Sequence, residues 1–586
     1  MLSMKRTTFA AAVVAMGLCW SGYCIEEPGP DTRKAWPPKE GEWLFEKRWV
    51  YCSFNNLVDK NTDKLLAIMK RSKAAGYNGI VLADYKFNIL KNMPDRYFRN
   101  LDRVKASAKE LGLELIPTCF PIGYSSGLLA HDQNLAAGLP VKDALFVVKG
   151  GVARPQNDPA EPLRNGDFED VKGDACRGFS FQDGAGVYSF SDTETVKSGK
   201  RSLRYEDIGK HNKHGHGRIS KTIKVKPFRY YMLSVWIRTE KFENPKGVKM
   251  LALAGKASLS QMDLKVKATQ DWTKHQVVFN TLGNEEVRVY VGAWGGRGGK
   301  MWLDDWRMEE AGLLNVLRRK GAPFVVKGED GTVYEEGKDF EPVSDPKLGK
   351  IPWPGSYKLT HEPPEGIKLT EGSAIKEGAR LRVSYSHPVI IYWGQVCCCP
   401  SEPKVYEILT DQAERLVKIF GGGAMFMAHD EIRCMGWDES CTKRGLTSGE
   451  ILADNARKCV DILEKARPGV RIHVWSDMFD PNHNARENFY LVKGDLAGSW
   501  EGLKKDVVIV NWHSKTEAGL KHFESRGHSQ IIAGYYDHDP RQNLTAWYSK
   551  AKGVKGVVGC MYTTWKSDFS KLEEFAKLMK RGELVK

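Results

Sequence analysis

Residues 423–431 read Gly-Ala-Met-Phe-Met-Ala-His-Asp-Glu, a short apolar run, Ala424–Ala428, that ends on two neighbouring acids. A bounded apolar run of this length fits a fully buried strand. An amphipathic helix is predicted before it at Lys404–Phe420. A second is predicted after it at Ser448–Ala466, stopped by Pro468-Gly469. Further strands are expected at Arg471–Trp475, Asp506–Asn511, Gln530–Tyr535 and Gly556–Met561, with helical segments between them and a closing helix at Lys571–Arg581. Strand–helix alternation of this kind predicts a parallel sheet covered by helices.

The same rhythm occurs much earlier in the chain. Trp49–Phe54, Gly79–Ala83 and Leu113–Pro117 read as strands, and Asp59–Ala75 and Arg96–Leu111 as helices. Three early strands and five late ones make the number that closes a (β/α)8 TIM barrel. The expected fold class is therefore α/β, a barrel interrupted after strand three by a β-sandwich (jelly-roll) domain and a small β-rich segment. The interruption falls in a loop on the face where barrels place their active sites and tolerate insertions. The expected parts are a signal peptide (1–24), a first barrel part (40–158), a sandwich (159–312), a small β-rich insert (313–387) and a second barrel part (388–586).

The sandwich is read from short alternating strands at Ile219–Val225, Tyr230–Arg238, Val248–Leu253, His275–Asn280, Val287–Val291 and Met301–Met308, punctuated by Gly and Asn turns. Its opening Asn165-Gly166-Asp167-Phe168-Glu169, with Trp294-Gly295-Gly296 and Trp302-Leu303-Asp304-Asp305, resembles the jelly-roll carbohydrate-binding modules of secreted glycanases. That resemblance implies sugar binding, and it makes Glu169 and Asp305 candidates for a structural calcium. No function is read from the segment between Leu313 and His387.

Composition narrows the classes further. The 586 residues suggest two to four domains at about 150 residues each. Lys and Arg exceed Asp and Glu by 88 to 73, a net +15, but they are spread along the chain without a basic block. No nucleic-acid-binding motif accompanies that charge, so no nucleic-acid partner is expected, while anionic glycans or surfaces stay open. Lys5 and Arg6 precede an apolar run from Phe9 to Trp20, the pattern of a secretory signal and too short for a membrane span. The protein is expected to be secreted or periplasmic, and the residues before Cys19 and Cys24 do not suit lipid attachment. None of the twelve cysteines shows the paired spacing of a metal site. The Cys397-Cys398-Cys399 run, and Cys434 with Cys441, read as buried thiols or one local disulfide.

Function in such a barrel lies just past the C-terminal ends of the strands. Those positions hold Asp84-Tyr85, His429-Asp430-Glu431, Trp475-Ser476-Asp477, Asn511-Trp512-His513, Tyr535-Tyr536-Asp537, Tyr562 and Trp565. Carboxylates bind sugar hydroxyls and flat rings stack on a pyranose face, so this rim points to a glycan substrate. Ordinary retaining glycosidases place two carboxyls about 5 Å apart across the scissile bond. Adjacent residues at a strand end diverge, so Asp430 and Glu431 suit a different division of labour. One protonates the glycosidic oxygen, and the other orients a 2-acetamido group that attacks the anomeric carbon.

At these residues the chain resembles glycoside hydrolase family 20, the β-N-acetylhexosaminidases, which carry an Asp-Glu pair after the fourth barrel strand. The resemblance implies that Glu431 is the general acid/base and that Asp430 orients the acetamido group. It also implies substrate contacts from Trp475 and Asp477, from Tyr535 or Tyr536, and from Trp565 at the pocket floor. His429, Trp437, Trp512, Asp537 and Tyr562 complete the expected binding set. The chain departs from the family pattern in three places. Met427-Ala428-His429 replaces a His-x-Gly-Gly, Tyr51-Cys52-Ser53-Phe54 in the first strand lacks the family's arginine, and Lys566 follows Trp565. No cofactor is expected. A protonated Glu431 would need aromatic walls or a second negative charge; Asp430 is that charge, and Trp437, Trp475 and Trp512 are candidate walls.

Two alternatives stand beside this reading. His429, His513 and His538 lie near Asp430, Asp537 and Asp539, a composition that metal-dependent hydrolases use. A barrel that binds glycans without cleaving them is the other.

Overall fold

Eight short strands, most of them buried on both faces, build the centre of the molecule. The computed structural model describes residues 43–158, 163–346, 348, 363–392, 394–513 and 517–580, so the expected signal peptide lies outside the described residues. The strands are β1 (Lys47–Ser53), β2 (Gly79–Ala83), β3 (Glu114–Cys119), β4 (Ala424–Met427), β5 (Arg471–Trp475), β6 (Val508–Asn511), β7 (Gln530–Tyr535) and β8 (Val557–Thr563). They form a closed barrel in that order. Adjacent strands are parallel throughout, and β1 closes the ring on β8 with Trp49 opposite Met561.

Side chains from alternate positions fill the two faces of that barrel. Trp49, Val81, Ile116, Phe426, Trp475, Val510 and Met561 pack together in its interior. Val50, Ile80, Met425, Met427, Val474 and Ile509 belong to the outer core shared with the helices. Burying each such side chain fully contributes about 1.5–3 kcal/mol, and a one-residue slip would turn every one of them to the wrong side. The helices are α1 (Asp59–Ala75), α2 (Asp95–Leu111), α3 (Pro403–Phe420), α4 (Ser448–Ala466), α5 (Glu517–Ser525), α6 (Pro540–Ala551) and α7 (Leu572–Leu578). A capping box opens α4: the Thr447 hydroxyl accepts from the Glu450 N–H, and Glu450 reaches back to the Thr447 N–H.

Between β3 and β4 the chain forms other sheets. Two five-stranded sheets make the sandwich. One is ordered Gln270–Asn280, Tyr230–Glu240, Lys300–Glu310, Ser202–Glu206, Ser189–Asp192, and the other Ala257–Ser258, Val248–Ala254, Glu286–Ala293, Gly217–Lys224, Phe181–Gln182. All six strands expected in this region are among them.

The expected boundaries around the sandwich need correcting. Gly138–Lys149, assigned from sequence to the first barrel part, is a strand of a six-stranded sheet. It pairs antiparallel with Arg380–Pro388, from the segment expected to be a separate small insert. Val152–Pro155, Val325–Gly328, Val333–Tyr334 and Ile367–Lys368 complete the sheet. The chain segments entering and leaving the sandwich are thus hydrogen-bonded to each other. Pairing over so long a sequence separation leaves no local signal from which to read it.

Candidate active site

Alternation along β4 decides which of its last residues face the barrel mouth. Ala424 and Phe426 point inward, and Met425 and Met427 point outward. Continuing the period sends His429 outward. It is fully buried, with Nε2 3.2 Å from Oδ1 of Asn455 on α4. Burial holds its imidazole down to about 4. His429 therefore supports the strand from behind, contrary to the substrate contact expected of it. Asp430 falls on the inward face. Burial first, then the charges of Asp477 and Glu431, push its carboxyl well above the usual range. Its charge in turn helps raise the Tyr51 and Tyr124 hydroxyls, in each case after burial.

Glu431 is held differently. Its backbone adopts φ 49°, a left-handed conformation uncommon for a residue other than glycine and frequent at functional sites. The Tyr124 hydroxyl donates to Oε2, and Arg433 Nη2 lies 2.6 Å from Oε1. The Glu431 N–H donates to Oδ2 of Asp477 at 2.9 Å, and Gln395 Nε2 donates to its carbonyl at 2.9 Å. Gly123 lies against this peptide: a Cβ there would sit 1.9 Å from the Asp430 carbonyl oxygen. The close approach requires glycine.

Asp477 is the buried anchor of the mouth. Its Oδ1 accepts from Trp512 Nε1 at 3.0 Å, and its Oδ2 also accepts from Asn484 at 2.8 Å. Burial raises its carboxyl, and these hydrogen bonds oppose that rise. Five rings gather around it. Trp475 lies 5.7 Å from Tyr51, 6.4 Å from Trp512 and 6.0 Å from Trp565, and Tyr536 stacks on Trp565 at 6.3 Å. Trp565 is half exposed, so a flat apolar face remains open to a ligand. His483 lies 5.2 Å from Trp512; burial, then His513, lowers its imidazole to about 4.

Arg433 ties the mouth to the inserted region. Burial works against its charge, but Glu431 and the phenols of Tyr124, Tyr490 and Tyr392 outweigh it and raise the guanidinium above its ordinary range. It lies 4.8 Å over Tyr490 and 5.4 Å over Tyr392, whose hydroxyls are 3.3 Å apart. The Tyr392 N–H donates at 2.6 Å to the carbonyl of Gln261 in the sandwich.

The structure thus brings together Asp430, Glu431, Trp475, Asp477, Trp512, Tyr536 and Trp565, and sends other expected residues elsewhere. Tyr535 and Tyr562 stack on each other at 4.5 Å in the outer core, beside Phe575 of α7. The Tyr535 hydroxyl donates to Asp568 at 2.8 Å. Trp437 donates to the Leu491 carbonyl and meets Phe228 of the inserted region. Asp537 accepts from the N–H groups of Trp565 and Lys566 at 2.9 and 3.1 Å, so it shapes the loop that presents Trp565. Tyr51, Tyr124, Arg433 and His483 were not anticipated. Tyr51 was readable, because it shares the inward face of β1 with Trp49, whereas the other three sit on loops without periodicity.

Neither metal reading gathers its ligands. His429 faces α4, and His538 and Asp539 are exposed. Glu169 accepts from the N–H groups of Lys200 and Arg201, and Asp305 pairs with Arg307 at 2.6 Å. Both calcium candidates already meet donors.

Comparison with known proteins adds the following. Residues 160–297 match the family described as "Carbohydrate binding domain". No curated protein matches the chain. Among solved structures, a family 16 carbohydrate-binding module is 17% identical with a TM-score of 0.17, over 24% of this chain and 96% of its own. A rhamnosidase from Novosphingobium sp. PP1Y is 10% identical with a TM-score of 0.30, over 92% of this chain and 59% of its own. An inactive mutant of a GH20 exo-β-N-acetylglucosaminidase from Vibrio harveyi is 14% identical with a TM-score of 0.23, over 32% of this chain and 33% of its own. The chain thus combines a closed parallel barrel with a sandwich similar to carbohydrate-binding domains.

Proposed function

We propose that the chain is an exported glycoside hydrolase that removes β-linked N-acetylhexosamine, GlcNAc or GalNAc, from glycans by substrate-assisted retention. One observation carries the reading: the two neighbouring acids after β4 are held in opposite ways. Among the described residues no other residue donates to the Asp430 carboxyl, which meets only its own backbone N–H and stands beside Tyr51 and Asp477. Glu431 is fixed through both oxygens by Tyr124 and Arg433. A poised, unpaired carboxyl suits the N–H of a 2-acetamido group as it turns to attack the anomeric carbon. An anchored carboxyl at the rim is placed to give its proton to the glycosidic oxygen, and Arg433 and the Tyr124 hydroxyl then hold the carboxylate that remains. Trp475, Trp512 and Trp565 supply stacking faces, and the sandwich supplies glycan binding.

The deciding experiment compares aryl β-glycosides with and without the 2-acetamido group, with and without chelator. The proposal expects hydrolysis only of the acetamido sugars, unaffected by chelator and blocked by a thiazoline mimic of the cyclised intermediate. Arg433 favours a second reading, in which Glu431 works as the charged carboxylate and Asp430, held neutral by burial, donates the proton. Equal turnover of glycosides lacking the acetamido group would select it. Binding to glycan arrays with no turnover of any glycoside would select a non-catalytic glycan-binding protein.

A further inference from the structure

Away from the barrel mouth, three distant segments meet around a pair of thiols. Cys399 ends the Cys397-Cys398-Cys399 run ahead of α3, and Cys441 lies in the short helix Glu439–Thr442 beyond Arg433. Their sulfurs are 3.6 Å apart across 42 residues of chain, and both side chains are buried. Asp438 accepts from the Cys399 thiol at 3.4 Å and from the Cys441 N–H at 3.2 Å. Its second oxygen pairs with Arg319 at 2.9 Å. Arg319 also reaches Glu402 at 2.5 Å and the carbonyls of Asn134 and Ala136. The Cys441 thiol points to the Ser401 hydroxyl at 3.3 Å.

Cys399, Asp438 and Cys441 form the one grouping of three potential metal ligands among the described residues. Arg319 argues against a cation there. A buried guanidinium already neutralises Asp438, and a divalent ion would have to sit beside that fixed positive charge. Two sulfurs in van der Waals contact, with no intervening group, suit covalent closure instead, since a disulfide needs about 2.05 Å and a modest side-chain rotation supplies the approach.

We propose that Cys399 and Cys441 form a disulfide in the mature protein. Each thiol loses a proton and together they give up two electrons, forming one S–S bond. The acceptor is a disulfide, on glutathione or on a thiol–disulfide oxidoreductase, which is reduced to two thiols by way of a mixed disulfide. Burial, the neighbouring Cys441 thiol and the Asp438 charge keep Cys399 strongly protonated in the folded chain, with Arg319 opposing them. Exchange therefore belongs to folding, before the segment carrying Asp438 closes over the sulfurs. The covalent ring runs from residue 399 to residue 441 and so encloses α3, β4, Asp430, Glu431 and Arg433. It ties down the base of the loop that presents the two acids.

Oxidative refolding tests this independently of any glycosidase activity. The full chain is reduced, denatured and refolded in a reduced/oxidised glutathione mixture. Free thiols are then alkylated in denaturant, and the peptides are mapped without reduction. The expected result is a Cys399–Cys441 cross-linked peptide, with the other cysteines of residues 43–580 alkylated. The paired variant Cys399→Ser/Cys441→Ser should melt roughly 5 °C below the oxidised protein and level with the reduced one. Full alkylation overturns the proposal. So does a bridge between other partners, such as Cys397 with the neighbouring Cys434. Stoichiometric binding of Cd2+ by the reduced protein, with a thiolate absorption band lost in Cys399→Ser, would overturn it in favour of a metal site.

Discussion

At the scale of single residues, Asp430 and Glu431 are separated by one peptide bond yet live in different electrostatic worlds. Glu431→Gln should lower the rate on the best acetamido glycoside by roughly two to four orders of magnitude, the usual worth of a general acid/base. Asp430→Asn should lower kcat on the same substrate while leaving KM nearly unchanged. Near-wild-type rates in both variants would remove this pair from the chemistry. Arg433→Gln takes away the guanidinium that positions Glu431, and a misplaced carboxyl costs on the order of a hundredfold. Arg433→Lys keeps the charge but loses the planar fork and the stacking on Tyr392 and Tyr490, so steady-state kinetics should show only partial rescue. Gly123→Ala forces a methyl group into the Asp430 carbonyl. Its activity should fall together with its thermal stability, unlike that of Arg433→Lys.

At the scale of elements, the barrel strands were legible because each carries a bounded apolar run, and their order followed from the alternation with helices. The same period-two logic, carried one step past the strand ends, separates His429 from Asp430 and places Tyr562 outside the barrel beside its inward neighbour Met561. It fails at the end of β7, where Tyr535, Tyr536 and Asp537 all have positive φ. The backbone turns over there, so Tyr535 goes out and Tyr536 goes in, and no composition signal marks that turn. Tyr124, Arg433 and Gln395 were hidden for another reason: their place at the mouth comes from contacts between loops hundreds of residues apart. The loop after β8 offers a test. Asp537→Ala removes the acceptor of the Trp565 and Lys566 N–H groups. The expected outcome is a severalfold rise in KM with little change in melting temperature, accompanied by a shift in tryptophan fluorescence.

Across the whole molecule, three fully buried imidazoles set an acid limit. Burial lowers His429 to about 4 and His387 and His473 to about 3. Each is held below the ordinary value of about 6.5 that it regains on unfolding, so the unfolded chain binds more protons throughout that interval. Their contribution is complete above about pH 6.5 and is lost progressively as pH falls toward 4 and then 3. For His429 alone the loss is on the order of 3 kcal/mol. Urea midpoints measured between pH 7 and pH 4 should fall steadily in the wild type. His429→Gln should start lower and fall less steeply, and parallel curves would show that this imidazole does not set the acid limit.

The strand Gly138–Lys149 runs outward beside Arg380–Pro388 running back, and the two are laced together along most of their length. A module on a single flexible leash would sample many orientations, whereas one carried on a braced double stem is denied the swivel. With Gln261 also latched to Tyr392, the spacing between the sandwich and the barrel mouth becomes a built-in ruler.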